Sequence, residues 1–171
     1  MTRISLLFGR LLDALAALAA LILLAMVIVV TGDIVLRNTV RGGFVWANEV
    51  SEYALYLMTL LTAPWLLRRG QHVRLDLFLT MVPARTAWLM EAIGDLVGLA
   101  VCVVLIRYGL AMTIDSWSIG AITIKNLVFP EWWLLAPLPV AFVLLAIEFV
   151  FRFCRLVGGE RTRRREATSV A

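Results

Sequence analysis

Four long apolar runs dominate this chain and decide which folds are open to it. They extend from Leu11 to Thr31, Trp46 to Leu67, Ala87 to Ile106 and Trp132 to Phe151. A helix rises about 1.5 Å per residue, so about twenty residues cross a hydrocarbon core of about 30 Å. Because lipid offers no hydrogen-bond partners, each run must satisfy its own backbone groups, which a helix does. The runs therefore predict an all-α integral membrane protein with four transmembrane helices.

The chain divides into one membrane domain and a short tail. Hydrophobic residues make up 62% of the chain, against about 45–50% in soluble domains, so little sequence is left for a separate soluble domain. We assign the membrane domain to residues 1–157 and a basic tail to residues 158–171. The four spans are expected at about 11–31, 46–67, 86–109 and 132–153.

The basic residues indicate how the helices face. Four spans place both termini and the middle connection on one side, which then carries twelve of the sixteen basic residues. The other side carries only four, which are Arg37, Arg41, Arg107 and Lys125. Since an excess of arginine and lysine marks the cytoplasmic face, both termini are predicted to be cytoplasmic. Basic residues beside the spans contact lipid headgroups, so the net charge of +4 does not indicate nucleic-acid binding.

The connection between the second and third runs, residues 68–86, is predicted to lie along the membrane surface. Polar His72, Arg74 and Asp76 alternate with apolar residues, and an apolar stretch follows until Pro83. This short segment cannot cross the bilayer and is too apolar for a free loop. We therefore expect an interfacial segment between the second and third helices.

Four charged residues are expected together at the outer ends of the first two helices. Glu49 and Glu52 are one helical turn apart and share a face of the second helix. Asp33 and Arg37 leave the first helix on the same side. Two interpretations remain open, because this group is either a salt-bridge and capping cluster or a surface that the two glutamates fix for a partner.

A second charged group is predicted in the cytoplasmic half of the spans. Its members are Glu91, Asp95, Glu148 and Arg152. Asp95 lies too deep for its short side chain to reach water, so it is expected to be either neutral or paired with a basic residue. Gly94 and Gly98 have the Gly-x-x-x-Gly spacing that allows close helix packing. A structural network that fixes the helices and a proton relay both fit this pattern.

The sequence carries no pattern of an active site or a cofactor site. The single histidine, His72, disfavours a bis-histidine haem on this chain, and no grouping of cysteine, histidine and carboxylate has zinc spacing. There is no phosphate-binding glycine loop, and no serine is placed with a histidine as a nucleophile. We therefore predict no catalytic residue, no metal and no cofactor, and we do not expect an enzyme.

Three segments, taken in order, carry a family resemblance. The segment from Trp46 to Tyr53 opens the second helix with a Trp-x-x-Glu pattern. The segment from Arg68 to Asp76 closes that helix with an Arg-x-Gly-x-His pattern, and the segment from Pro130 to Pro137 opens the fourth helix. In this order and spacing the chain resembles the small membrane subunit of TRAP transporters, the DctQ type.

The resemblance implies partners and residue roles. In that family a large multi-helix membrane subunit carries an organic acid together with sodium, and a soluble periplasmic protein delivers the substrate. The small subunit braces the large one in the bacterial inner membrane and helps to dock the periplasmic protein. The matching residues would then have interface or structural roles, and they are Trp46, Glu49, Glu52, Arg68, His72, Asp76, Pro130, Trp132 and Pro137.

Two other classes of membrane protein fit less well. An autonomous four-helix proton-coupled transporter depends on a carboxylate in the middle of its first helix, and the stretch from Ala14 to Thr31 has none. A quinone or haem anchor subunit is disfavoured by the single histidine. The autonomous transporter remains the alternative to an accessory subunit.

Overall fold

The computed structural model describes residues 3–40, 42–69 and 84–158. Its elements are α1 (Arg3–Val40), α2 (Ala47–Arg68), α3 (Ala84–Ile119), β1 (Ile122–Ile124), β2 (Val128–Pro130), α4 (Trp132–Leu135) and α5 (Pro137–Gly158). The predicted interfacial segment, with His72 and Asp76, lies outside the described residues. Residues 159–171 of the predicted tail lie outside them as well.

The described chain contains four stretches of helix long and apolar enough to cross a membrane. These are Ser5–Thr39, Ala47–Arg68, Trp88–Ile119 and Trp132–Val157. Their number confirms the prediction of an all-α membrane fold with four spanning helices. The last stretch is built from two pieces, because Pro137 has no N–H to donate and a new helix starts there after Ala136.

Two helices extend well beyond the predicted spans. α1 has 38 residues and α3 has 36, which corresponds to lengths of about 57 Å and 54 Å. An apolar run in the sequence indicates only the part of a helix that lies in hydrocarbon. Polar helical turns beyond it, such as the one between Asp33 and Arg37, are therefore not predicted. Helices of this length must tilt in the bilayer or project from it.

The helices pack in a row. α1 packs against α2, α2 against α5, and α5 against α3, so α1 and α3 lie at the two ends. A row has little interior, and few apolar side chains of the described residues are buried. They are Leu12, Ala19, Ala47, Pro64, Leu67, Cys102, Pro139 and Ala141. Most of the apolar surface is therefore left for lipid or for a partner protein.

Close contacts between neighbouring helices replace a large core. Gly98 of α3 lies against the ring of Phe149 on α5, where a Cβ atom would come within 2.6 Å of the ring atom Cε1. Gly9 of α1 is covered by the guanidinium group of Arg68 on α2. In both places the missing side chain is what allows the close approach.

A β-hairpin follows α3. Gly120 ends the helix with a φ of 67°, and the N–H groups of Gly120 and Ala121 donate to the carbonyls of Trp117 and Ser116. This is the Schellman arrangement that glycine favours at a helix C-terminus. β1 and β2 then pair antiparallel. We call the end of the molecule with this hairpin the hairpin end, and the end where α2 stops and α3 starts the opposite end.

Candidate functional site

Glu49 attaches the hairpin to the start of α2. Its two carboxylate oxygens accept hydrogen bonds from the backbone N–H groups of Asn126 at 2.7 Å and Leu127 at 2.9 Å. Both N–H groups lie in the loop between the strands, beyond the last paired residues. A hydrogen bond to a charged acceptor contributes about 1.5–3 kcal/mol. Since Glu49 is only 7% exposed, its carboxylate acts as a buried clamp on the loop.

A second contact between α2 and the hairpin is exposed. The Nζ atom of Lys125 donates to Glu52 at 2.9 Å, and both side chains are about half exposed or more. The hydrogen bond to Glu52 raises the pKa of the Lys125 ammonium above its ordinary value, so Lys125 stays charged at neutral pH. The Nζ atom also lies 5.6 Å from the centroid of the Tyr53 ring, which meets the ring of Phe129 edge-on at 5.3 Å. A charged pair and an aromatic contact therefore lie side by side between α2 and the hairpin.

Asp33 joins the end of α1 to the chain that leads into α2. Its Oδ1 atom accepts the backbone N–H of Phe44 at 2.6 Å, and its Oδ2 atom pairs with Arg37 Nε at 2.8 Å. Gly43 packs beside it, where a Cβ atom would lie 2.8 Å from Oδ1. The four charged residues expected together at this end are thus divided between two contacts, one at the α1–α2 connection and one at the hairpin.

Glu148 is the centre of the charged group at the opposite end. Its side chain is fully buried. Oε2 pairs with Arg68 Nη1 at 3.2 Å, and Oε1 pairs with Arg155 Nη2 at 2.6 Å. Arg68 also donates from Nη2 to the carbonyl of Ser5 at 2.7 Å. One carboxylate therefore joins α2 to α5, and Arg68 extends the contact to α1.

Asp95 forms a separate ion pair that joins α3 to α5. Its Oδ1 atom lies 3.0 Å from Arg152 Nε, and Asp95 is only 3% exposed. Its Oδ2 atom is buried without a hydrogen-bond partner among the described residues. In the same described part, Arg152 forms no ion pair with Glu148, and Glu91 forms none at all. The four residues expected in one network therefore do not form one, because the packing of α3 turns Arg152 toward Asp95.

A further contact at the opposite end is exposed. Asp13 accepts the indole N–H of Trp65 at 2.9 Å and lies 3.6 Å from Arg69 Nη2. The Arg69 guanidinium in turn lies over the Trp65 ring, 4.7 Å from its centroid. Exposed ion pairs contribute little, typically about 0–1 kcal/mol. The ion pairs that Glu148 and Asp95 each form with arginines are buried, and they therefore determine the packing of the helices more strongly.

Several residues of the family motifs lie at the hairpin end. Trp46 flanks the start of α2, and Pro130 is the last residue of β2. Trp132 opens α4, and its ring lies 5.0 Å from the ring of Trp117 on α3. These residues surround the position where Glu49 holds the hairpin, so the motif of the second helix and that of the fourth helix meet in space.

Two sets of contacts were missed by the sequence analysis. Lys125 and Asn126, which bind the glutamates of α2, lie between Ile-Thr-Ile and Val-Phe-Pro, and such short strand-like runs around a polar loop are a hairpin signal. Arg155 lies seven residues after Glu148, which is about two helical turns and hence the same face. Both patterns are present in the sequence, although each involves only a few residues.

The fold and these charged contacts define a helical integral membrane protein of four spans. A family model described as "Tripartite ATP-independent periplasmic transporters, DctQ component" matches residues 26–159. The chain therefore belongs to the DctQ family and is a component of a TRAP transporter. This confirms the family inferred from the sequence motifs. A search of curated proteins finds no match.

Proposed function

We propose that this chain is the accessory small subunit of a sodium-coupled transporter for organic acids. It braces the large membrane subunit, and its hairpin end helps to dock the periplasmic protein that delivers the substrate. The match of residues 26–159 to the DctQ component carries this proposal. Ion pairs that join the helices of the row at the opposite end support a bracing role, because they resist sliding of one helix along another.

The hairpin end suits a docking role. Glu52 and Lys125 are exposed there, and exposed charges at the rim of an interface steer association and fix register. Ile124 at the tip of the hairpin is 76% exposed. The hairpin is held by Glu49 and can therefore present these side chains in a fixed arrangement.

The described helices offer little from which to build a transport site. Secondary transporters place substrate and ion sites near the bilayer midplane, on interrupted helices from repeated halves. In this chain the break at Pro137 lies five residues after the start of α4, near the hairpin end. Each of α1, α2 and α3 is continuous over its described length. These features favour an accessory subunit over the alternative of an autonomous proton-coupled transporter.

Reconstitution in liposomes tests this function directly. With a sodium gradient and the periplasmic protein present, we expect no uptake of labelled organic acid by this chain alone. We expect little uptake by the large subunit alone and full uptake by the pair, because the substrate site lies on the large subunit and the brace on this one. Accumulation driven by the gradient in liposomes with this chain alone would support the autonomous transporter instead.

We place the chain in the bacterial inner membrane with both termini in the cytoplasm and the hairpin end in the periplasm. The distribution of basic residues supports this orientation. In a chain without Cys102 and Cys154, an impermeant maleimide added to intact spheroplasts should label Ser118→Cys. It should label Ser169→Cys only after lysis. The reverse pattern would invert the orientation.

A further inference from the structure

Arg107 lies on the face of α3 that points away from α5. The face toward α5 contains Gly98, Cys102 and Gly109, of which Gly98 and Gly109 contact side chains of α5 and Cys102 is buried. Arg107 is two residues from Gly109, and two residues turn a helix by about 200°. Its side chain is exposed, as this position on the far side of the helix predicts.

The contacts between α3 and α5 set the level of Arg107. Gly98 contacts Phe149, and Gly109 contacts Leu138. Eleven residues separate the two positions on each helix, so the antiparallel helices keep register over this stretch. Arg107 is therefore level with the part of α5 two residues after Leu138, well inside the apolar stretch Trp132–Val157.

The tryptophans of α3 place Arg107 between the two membrane interfaces. Trp117 packs against Trp132 at the hairpin end, and tryptophan rings favour the interface. Arg107 is ten residues from Trp117, or about 15 Å of helix, and nineteen residues from Trp88, or about 28 Å. Its Cβ atom is tilted toward the helix N-terminus, away from the closer interface. The guanidinium group therefore lies at a depth occupied by lipid tails and not on the outer side, where the count of basic residues first placed it; without Arg107 that count is still twelve against three.

Arg107 makes no hydrogen bond or ion pair within the described residues. Charged side chains at this depth almost always pair with another charged group or face a protein interior. We infer that Arg107 forms an ion pair with a carboxylate on a membrane-spanning helix of the large subunit. The outward face of α3 is then the face that binds that subunit. This inference rests on the proposed function.

The side chains around Arg107 fit a partner helix. Ala100 lies two turns before it and Ala111 one turn after it, and both are exposed on the same face. Small residues at such positions allow a neighbouring helix to approach closely. The neighbouring exposed side chains are apolar and belong to Val103, Val104 and Ile114. Arg107 is therefore the group that can determine which partner binds to this part of the face.

Lipid and a second copy of this chain fit the arginine less well. Phosphate groups of lipids lie at the level of the interfacial tryptophans, about 15 Å of helix from Arg107. In a symmetric pair of copies the same face meets itself at the same level, and within two helical turns of Arg107 this face of the described α3 offers no carboxylate. A carboxylate on a different chain can pair with the Arg107 guanidinium and neutralise its charge.

Copurification of the large subunit with a tagged small subunit in mild detergent tests the inference. Arg107→Leu should reduce recovery of the large subunit at least tenfold. The variant chain expressed alone should accumulate in the membrane as well as the parent, because leucine suits a lipid-facing position. Arg107→Lys should retain part of the recovery because it keeps the charge. Arg10→Leu, which removes an exposed arginine near the start of α1, should leave recovery unchanged.

Each other outcome overturns the inference in a distinguishable way. Full recovery of the large subunit with Arg107→Leu would show that Arg107 is not part of the interface, without contradicting the proposed function. If the parent chain itself recovered no large subunit, both the inference and the proposed function would be wrong. Full recovery combined with loss of a bound anionic phospholipid in native mass spectrometry would assign the arginine to lipid. Association of two tagged copies that depends on Arg107 would assign it to self-association.

A second measurement covers the case in which Arg107→Leu fails to accumulate. A photoreactive group placed at Ala111 in the parent complex should crosslink to the large subunit, whereas the same group at Ser116, which is buried beside Glu131, should not. Absence of the crosslink at Ala111 would contradict the inference on its own.

Discussion

Replacing Glu148 by alanine is expected to lower the free energy of unfolding by about 3–5 kcal/mol, the usual cost of breaking a buried ion pair. The carboxylate pairs with two guanidinium groups, those of Arg68 and Arg155. Without it, both arginines lose this buried ion-pair partner. Arg155 can turn toward water, since its side chain is 39% exposed. Arg68 is 21% exposed and covers Gly9, so it has less room to move. Thermal unfolding of the purified protein in mild detergent measures the loss.

An exposed pair provides the matched control for Glu148. Glu52→Ala makes the same chemical change in the contact with Lys125, where the glutamate is 66% exposed, and should cost no more than about 1 kcal/mol. The double change Glu148→Leu with Arg68→Leu should recover part of the stability, because apolar side chains can replace a buried ion pair. Equal losses for Glu148→Ala and Glu52→Ala would show that Glu148 does not hold the helices together.

Gly98→Leu is expected to lower the free energy of unfolding by about 1–3 kcal/mol, the typical cost of overpacking. Even a Cβ atom at this position would overlap the ring of Phe149, so a leucine must displace the ring or push α3 away from α5. Because α3 packs mainly against α5, the displacement should also weaken the Asp95–Arg152 pair nearby. Unfolding in detergent and recovery of the large subunit both report the effect.

The chain supplies its own control one helical turn earlier. A Cβ atom at Gly94 would meet nothing within 4 Å, so Gly94→Leu should leave the stability of the isolated chain near that of the parent. Combining Gly98→Leu with Phe149→Ala should recover part of the loss, because the smaller side chain opens space for the leucine. If Gly94→Leu and Gly98→Leu were equally stable, contact with Phe149 would not determine how α3 and α5 pack.

The sequence predicts the spanning helices well, because crossing a bilayer imposes a length and a polarity on each segment independently of all others. The same independence explains why α1 and α3 extend beyond the predicted spans. Beyond the hydrocarbon no apolar run is required, and α1 continues through Asp33 and Arg37 as a polar helix that a count of apolar residues does not detect.

The pairing of charges could be predicted only in part. Asp95 was expected to be neutral or paired with a basic residue, and the structure pairs it with Arg152. Which arginine pairs with which carboxylate depends on the order of the helices in the row, and local sequence does not contain that order. The clamp of Glu49 on Asn126 depends in the same way on a contact between residues 77 positions apart.

The place of α5 in the row also sets an order of assembly during synthesis. α1 and α2 are neighbours in the chain and in the row, so they can pair as soon as both are inserted. Among the described helices, α3 is made before its main neighbour α5, and the hairpin lies between them in the chain. At about 5–20 residues per second, Asp95, which precedes Arg152 by 57 residues, therefore reaches the membrane several seconds before Arg152 does. The α3–α5 pair therefore forms after the α1–α2 pair, and until then the nascent chain holds Asp95 in the bilayer without its arginine partner.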